Sequence, residues 1–315
     1  MTIYDIAKIT GYSSATVARA LSGSGYCSKK AKATILEAAK NMKYNYNFQA
    51  KALRSQKTNK VLCCIPDICN PFYFRMIDGI TKTLEKSGYL LMLYPTEKSL
   101  KKEIEAINLC RTKFCDGIIL ISFDFCPKNI SAIRESGIPA VLGNRYLGQR
   151  STDNFDYVYV DHILGMEIAT EHLLEKGCKN IVLVTGNRQK QTSSERTEGY
   201  VKALSRHGLL PNDHYILNGG YDRETSQAAM ETFLNSGLPF DGLIAGNDLS
   251  AYGIVEALQK RHLSIPKSAR LVSFDNTDYA TIASPSFTSI DMCQYELGTA
   301  LATTLLERIG GRHDW

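Results

Sequence analysis

The chain has 315 residues, 44% of them hydrophobic, enough for two or three domains with sizeable cores. No apolar run approaches the ~20 residues that span a membrane, and Tyr4, Asp5 and Lys8 stand where a signal peptide would be apolar, so a cytoplasmic protein with no membrane partner is expected. The net charge of +5 is uneven: residues 1–60 hold 11 Lys/Arg against Asp5 and Glu37, or +9, whereas the rest hold 26 against 30, or −4. A basic head on a slightly acidic body points to a polyanionic partner for the head alone.

Three short helices are predicted in the head. "IYDIAKIT" places Ile3, Ile6 and Ala7 on one face and stops at Gly11. The second helix starts from Ser13 as N-cap, with Val17, Ala20 and Leu21 inward. The third, within "KKAKATILEAAKNMKY", sets Ile35, Ala38, Ala39 and Met42 at helical spacing. Helix, short glycine turn, helix and a third packing helix make a helix-turn-helix plan. The outer side of the second helix carries Ser14, Ala15, Thr16 and Arg19. Large apolar groups would be wasted against base edges. Ser and Thr can bond several bases, Ala can touch a thymine methyl, and Arg can bind guanine bidentately. Helix N-termini near Thr2 and Ser13 suit phosphate oxygens. Next, "NYNFQAKALRSQKTNK" reads as a short helix, Phe48 to Arg54, and a polar linker. It is too poor in apolar residues to hold alone. Leu53 could serve as a minor-groove wedge, and a plain interdomain linker is the competing reading.

From residue 60 strands alternate with helices. "KVLCCIPD", "YLLMLYP", "GIILIS" and "PAVLGN" form one series, and "NIVLVTG", "YILNGG", "GLIAGND" and "RLVSFDN" a second. Each series is large enough for a doubly wound parallel sheet. Asp67, Ser122, Asn144, Arg145, Asn247, Asp248 and Asp275 fall at or just past strand carboxyl ends, where open α/β sheets bind ligands. With Phe72, Tyr73, Phe123, Tyr146 and Tyr221 nearby, they suit a polyhydroxylated or heterocyclic small molecule. Each Asp or Asn could instead merely cap the following helix. The nine cysteines, several inside apolar runs such as "VLCCIP", read as small hydrophobes in a reducing compartment. No zinc spacing, nucleophile elbow, Walker loop, H-E-x-x-H or dinucleotide fingerprint is present, and the six His are scattered, each read as surface or core. Neither a metal, a cofactor nor an enzymatic activity is expected.

The order of these parts resembles the LacI/GalR family of bacterial transcription regulators over nearly the whole chain. "TIYDIAKITGYSSATVARALSG" is similar to the family's opening signature, and "AKALRSQKT" to its hinge helix. "NPFYFRMIDGI", "CDGIILIS", "GIPAVLGNR", "EHLLEKGCKNIVLVTG", "ERTEGY", "DGLIAGNDLSAYGIVEAL" and "LVSFDNTDYA" follow in family order. The resemblance implies an all-α helix-turn-helix head over 1–46 and a hinge helix and linker over 47–59. It implies a periplasmic-binding-protein-like core of two doubly wound parallel-sheet subdomains, 60–160 with 290–315, and 161–289, with an effector cleft between them. It further implies a homodimeric repressor on palindromic double-stranded DNA, controlled by a small-molecule effector such as a sugar or sugar derivative. The matched base-contacting positions are Ser14, Ala15 and Arg19. Thr2, Tyr4 and Thr16 match phosphate or groove contacts, Ala50, Lys51, Leu53 and Arg54 lie in the hinge segment, and Leu53 is the inserted leucine. The matched effector positions are Phe72, Tyr73, Asn144, Arg145, Arg196, Asn247, Asp248 and Asp275; Ser122 and Tyr221 join them from the strand-end reading. Arg196 is the expected anchor, because its planar fork fits vicinal hydroxyls or a carboxylate.

The chain departs from the pattern in places. Tyr46 stands where members carry proline, and Ala31 and Lys32 replace Thr and Arg in the opening of the third helix. Members continue past the point corresponding to "LLERIGGRHDW" with a further strand, and no C-terminal leucine heptad is present to build a tetramer. Two rival functions remain: a small-molecule binding protein whose head no longer reads DNA, and an enzyme using the cleft carboxylates.

Overall fold

A computed structural model of the chain describes residues 2–22, 25–44, 57–123, 125–146 and 155–311. Ala50, Lys51, Leu53 and Arg54 lie outside them. The chain divides into two compact units, Met1–Thr58 and Asn59–Trp315.

The first unit holds α1 (Ile3–Thr10), α2 (Ser14–Ser22) and α3 (Lys29–Asn41). Thr2 and Asp5 close a reciprocal capping box on α1, and Gly11 ends it at φ +71°, a backbone angle that suits glycine. The Ser13 hydroxyl accepts from the Thr16 amide at 3.2 Å and so starts α2, while Ser28 does the same for α3 through Ala31. Ile6, Val17, Ala20, Ala31, Ile35 and Ala39 are buried together, with Ile3, Ala7, Leu21, Ala38 and Met42 packed round them. The three inward stripes predicted from spacing therefore meet in one small core.

The second unit contains two five-stranded parallel sheets. The first runs β1 (Lys60–Ile65), α4 (Phe72–Lys86), β2 (Leu90–Pro95), α5 (Leu100–Arg111), β3 (Gly117–Leu120), α6 (Pro127–Ser136), β4 (Ala140–Leu142) and β5 (Asp156–Tyr157). The second runs α7 (His162–Glu175), β6 (Ile181–Thr185), α8 (Gln191–Arg206), β7 (Ile216–Asn218), α9 (Arg223–Asn235), β8 (Gly242–Ala245), α10 (Asp248–Lys260), β9 (Arg270–Asp275), α11 (Asp278–Ile282) and β10 (Thr288–Asp291). The strand orders are β2-β1-β3-β4-β5 and β7-β6-β8-β9-β10, the same topology twice. β1, β3, β4, β6, β8 and β9 are almost wholly buried, which is why they read as unbroken apolar runs. The short edge strands β5 and β10 lack such runs and escape a reading by apolar pattern. β10 pairs with β9 through Asp291, so the chain leaves the second sheet after that residue, not at 290 as the sequence-based boundary had it.

The returning helix α12 (Gln294–Ile309) packs on α4 of the first sheet. Two glycines allow the approach. A Cβ on Gly298 would overlap the Met76 carbonyl, and one on Gly79 would overlap the Tyr295 carbonyl. At the far end of α12, Arg308 forms a buried ion pair with Asp156 of β5. Among the described residues no helix is long and apolar enough to cross a membrane.

The α4–α12 contact generates a stability prediction. Gly298→Ala should lower stability by about 1–3 kcal/mol, as overpacking does, because the opposing atoms are backbone and cannot rotate away. Urea denaturation of the full chain checks it, and an unchanged midpoint would mean the two helices are not packed this closely.

Candidate functional site

Two places hold the predicted site residues, and each lies within one compact unit. On the head, α2 turns Ala15 and Arg19 outward, with Ser14 and Thr16 half-buried beside them. Tyr4 is 68% exposed and Thr2 is exposed on the adjoining α1 end. Arg19 packs along Gly25, its Cγ and Cδ 3.5 Å and its Nε 3.8 Å from where a Gly25 Cβ would stand. Thr2 is partly spent on its own cap, since its hydroxyl meets the Asp5 carboxylate at 3.1 Å and its amide donates at 2.8 Å. Ser13 and Thr16 hydroxyls likewise share a 2.9 Å bond. This face thus presents small polar groups with one Arg and one Tyr, residue types able to bond base edges and phosphates.

In the second unit the carboxyl ends of both sheets face one cleft. The chain crosses between sheets at 158–161 and again at 292–293. Val160, His162 and Met292, at or beside these crossings, line its inner end. The inner cavity has a volume of about 70 Å³. Of the ten predicted effector residues, Phe72, Tyr73, Ser122 and Asn144 line it from the first sheet. Arg196, Tyr221, Asn247 and Asp275 line it from the second.

The remaining two predicted effector residues are corrected by the structure. Asp248 turns away from the cavity: its carboxylate accepts from Ser273 at 2.7 Å, Ser289 at 2.8 Å, and the Thr277 amide and hydroxyl at 2.7 and 2.8 Å. It organises the loop after β9. Arg145 does not line the cavity either; it reaches across the cleft to Glu195 at 3.2 Å and lies 4.3 Å from the Tyr159 ring. Two lining residues are also structurally occupied. Asn247 caps α10 through Ser250 and holds the Tyr221 carbonyl at 3.1 Å. Asn144 donates across the cleft to Thr192 at 3.3 Å.

Arg196 is the central group. Only 5% exposed, it lies 5.1 Å from the Tyr221 ring and 4.9 Å from the Phe274 ring, a cation–π cage, and its Nη1 donates to the Gly246 carbonyl. Its Nε has no partner. Tyr221 is fixed by 3.0 Å bonds to Thr185 and Ser193, and its ring lies against Gly186 and Gly246, where side chains would collide with it. His162, Asn70 and Thr192 also line the cavity and were missed by the sequence reading. The histidine opens α7 with an unpartnered, shielded Nδ1, and no spacing signal marks it. Asn70 was detectable as the residue preceding the Pro71 that begins α4.

Burial drives two titrations. Asp275 is held well above the usual carboxylate range by burial, against the opposing pull of Arg196. His162 is pushed well below 6.5, first by burial, then by the charges of Arg196 and Arg145. The folded chain therefore refuses a proton that the unfolded chain accepts at His162, and stability drains as pH falls below about 6.5. At Asp275 the folded chain keeps its proton longer, so stability instead falls as pH rises through that raised value. Between pH 6.5 and 5, His162→Asn should lose less stability than the parent chain, and Asp275→Asn should be more stable than the parent toward neutral pH without ligand. Urea midpoints across pH check both; parallel curves for parent and H162N would show that the imidazole titrates as in water.

Comparisons with known proteins agree with this architecture. Residues 2–47 match the family model described as bacterial regulatory proteins, lacI family, and residues 58–314 match periplasmic binding proteins and sugar binding domain of LacI family. Catabolite control protein A of Priestia megaterium is 30% identical over 98% of this chain and 92% of its own length. The transcriptional repressor CytR of Escherichia coli is 27% identical over 99% and 91%. Among solved structures, the transcriptional regulator CelR in complex with cellobiose aligns at TM-score 0.75 and 25% identity over 99% of this chain and 94% of that one. The lac repressor dimer bound to operator and an anti-inducer shares the fold at TM-score 0.86 and 19% identity, over 99% and 94%. A helix-turn-helix head, a paired parallel-sheet core and both family models together place the chain in the LacI family of bacterial regulatory proteins, as a transcription regulator.

Proposed function

We propose that this protein is a homodimeric repressor acting in the cytoplasm, reading a palindromic operator and answering to a polyhydroxylated effector, a sugar or sugar derivative, in its cleft. The head reads half-sites through Ser14, Ala15 and Arg19, with Thr2, Tyr4 and Thr16 on phosphates or groove edges. Ala50, Lys51, Leu53 and Arg54 supply the hinge contacts, with Leu53 as the wedge. The protein is not a catalyst and uses no cofactor or metal.

One observation carries the effector reading: Arg196, His162 and Asp275 line one inner cavity, and the Arg196 Nε and His162 Nδ1 are buried without a hydrogen-bond partner in the protein. A buried donor without a partner costs about 1–3 kcal/mol, and vicinal hydroxyls would meet all three groups. The cleft separates the two sheets and is bridged by bonds such as Arg145–Glu195 and Asn144–Thr192. A ligand that favours one lobe angle shifts the population of DNA-binding dimers, and a coupling of about 1–3 kcal/mol is enough for regulation.

The test is fluorescence anisotropy of the full chain on the DNA upstream of its own gene, at two salt concentrations, with sugars, sugar phosphates and purines. Tight, salt-sensitive binding altered by one sugar is expected. Weak binding that no sequence distinguishes would favour a binding protein with a degenerate head. In the same assay Arg19→Ala should cost about 1–3 kcal/mol on the preferred site and relax base preference, whereas Lys51→Ala should weaken all sequences alike and reduce the salt slope by about 1. Equal weakening of every sequence by both changes would refute the base-reading role of Arg19.

A further inference from the structure

The cleft is longer than its inner cavity. A second chamber of about 500 Å³ adjoins it toward the ends of β2, β6 and β7. Both spaces share Pro66, Ser122, Phe123, Thr192 and Tyr221 in their walls. At this shared waist, Phe123 from the first sheet and Tyr221 from the second lie parallel, 5.8 Å between centroids and 7° between planes.

The two chambers differ in kind. The inner one carries Arg196 and Asp275 with the unpartnered Arg196 Nε and His162 Nδ1, but its volume of about 70 Å³ is far below the ~300–1,000 Å³ of ordinary small-molecule sites. It can grip one end of a ligand and cannot enclose the whole of one. The outer one falls within that range, and its walls offer the amides of Asn187 and Asn218, the Ser193 hydroxyl and the aromatic faces at the waist. Glu103 stands in the same wall, its carboxylate buried against the Asn129 amide at 2.8 Å. Lys98 and Lys190 stand in that wall too, with Lys98 over the Phe123 ring at 6.0 Å.

We infer that the effector is a two-unit glycoside: one sugar ring is gripped in the inner cavity by Arg196, His162 and Asp275, the linkage crosses the Phe123–Tyr221 waist, and the second ring occupies the outer chamber. This rests on the cleft being the effector site. Amides and hydroxyls in the outer wall bond sugar hydroxyls, and the flat aromatic faces accept the C–H faces of the rings. Specificity for the second unit then resides in Asn187 and Asn218, which lie apart from the anchoring Arg196.

Calorimetry on the full chain tests this with glucose, galactose, xylose, cellobiose, maltose, lactose and glucose 6-phosphate. One disaccharide should bind at least tenfold tighter than its constituent monosaccharides. Leu100→Trp, which fills the outer chamber from the start of α5, and Asn218→Ala should each reduce that advantage. Monosaccharides binding as tightly as disaccharides would overturn the two-unit ligand and leave the cleft as the effector site. Glucose 6-phosphate binding more tightly than every disaccharide would likewise overturn the two-unit ligand. No binding by any of these sugars would overturn the effector reading, and this inference with it.

Discussion

A guanidinium held at 5% exposure dominates the energetics of the core. Removing such a charge from water is expensive, and mutual attraction repays the cost only when geometry and hydrogen bonding are complete. At Arg196 they are incomplete. Two aromatic faces and the Gly246 carbonyl hold the group in place, yet its Nε is unsatisfied. Asp275, the nearest opposing charge that lines the cavity, is itself driven toward its protonated form by burial. Within the protein the buried guanidinium is thus incompletely compensated. A ligand that supplies acceptors to Arg196 and donors to Asp275 relieves a cost the folded chain already bears, so binding needs little new ordering. The glycines at 186 and 246 follow from the same requirement, since only they leave room for the Tyr221 ring that forms one wall of the cage.

Closure of the cleft is balanced by modest bonds. Arg145–Glu195 crosses it with Arg145 Nε and Glu195 Oε2 left unpaired, and Asn144–Thr192 crosses it at 3.3 Å. Bonds that are partly satisfied contribute little net stability, so the lobe angle they favour is open to change by a ligand of ordinary affinity. By contrast, the packing of α12 on α4 rests on backbone approach and is rigid. The core therefore combines a stiff seat with a compliant cleft.

Much of this was legible in the sequence because its signals are local. The head's three apolar stripes at helical spacing converge on Ile6, Val17 and Ile35, and the caps Gly11 and Ser13 behave as their residue types require. Fully buried strands such as Ile181–Thr185 announce themselves as apolar runs. Of the eight proposed effector positions that line the cavity, Ser122, Asn144, Tyr221, Asn247 and Asp275 lie at strand ends, whereas Phe72, Tyr73 and Arg196 lie on helices and came from the family resemblance. The failures have one cause. Asp248 and Arg145 sit at the right ends but are claimed by Ser273, Ser289, Thr277 and Glu195, partners distant in sequence that no spacing rule supplies. His162 was missed in the opposite sense: a histidine with no motif lines the cavity only because it follows the crossing at 158–161.

The crossings also explain how a small ligand gains leverage. Val160, His162 and Met292 belong to or adjoin the only two connections between sheets among the described residues, and all three face the inner cavity. A ligand there touches the hinge itself as well as both lobes, so part of its binding energy depends directly on the hinge geometry. Differential affinity for two lobe angles is the one quantity that can shift their populations. A site at the hinge obtains it from small displacements, whereas a site at the mouth would require large ones. On the proposed two-unit reading, the deep end of the ligand is the part that signals and the outer end provides selectivity.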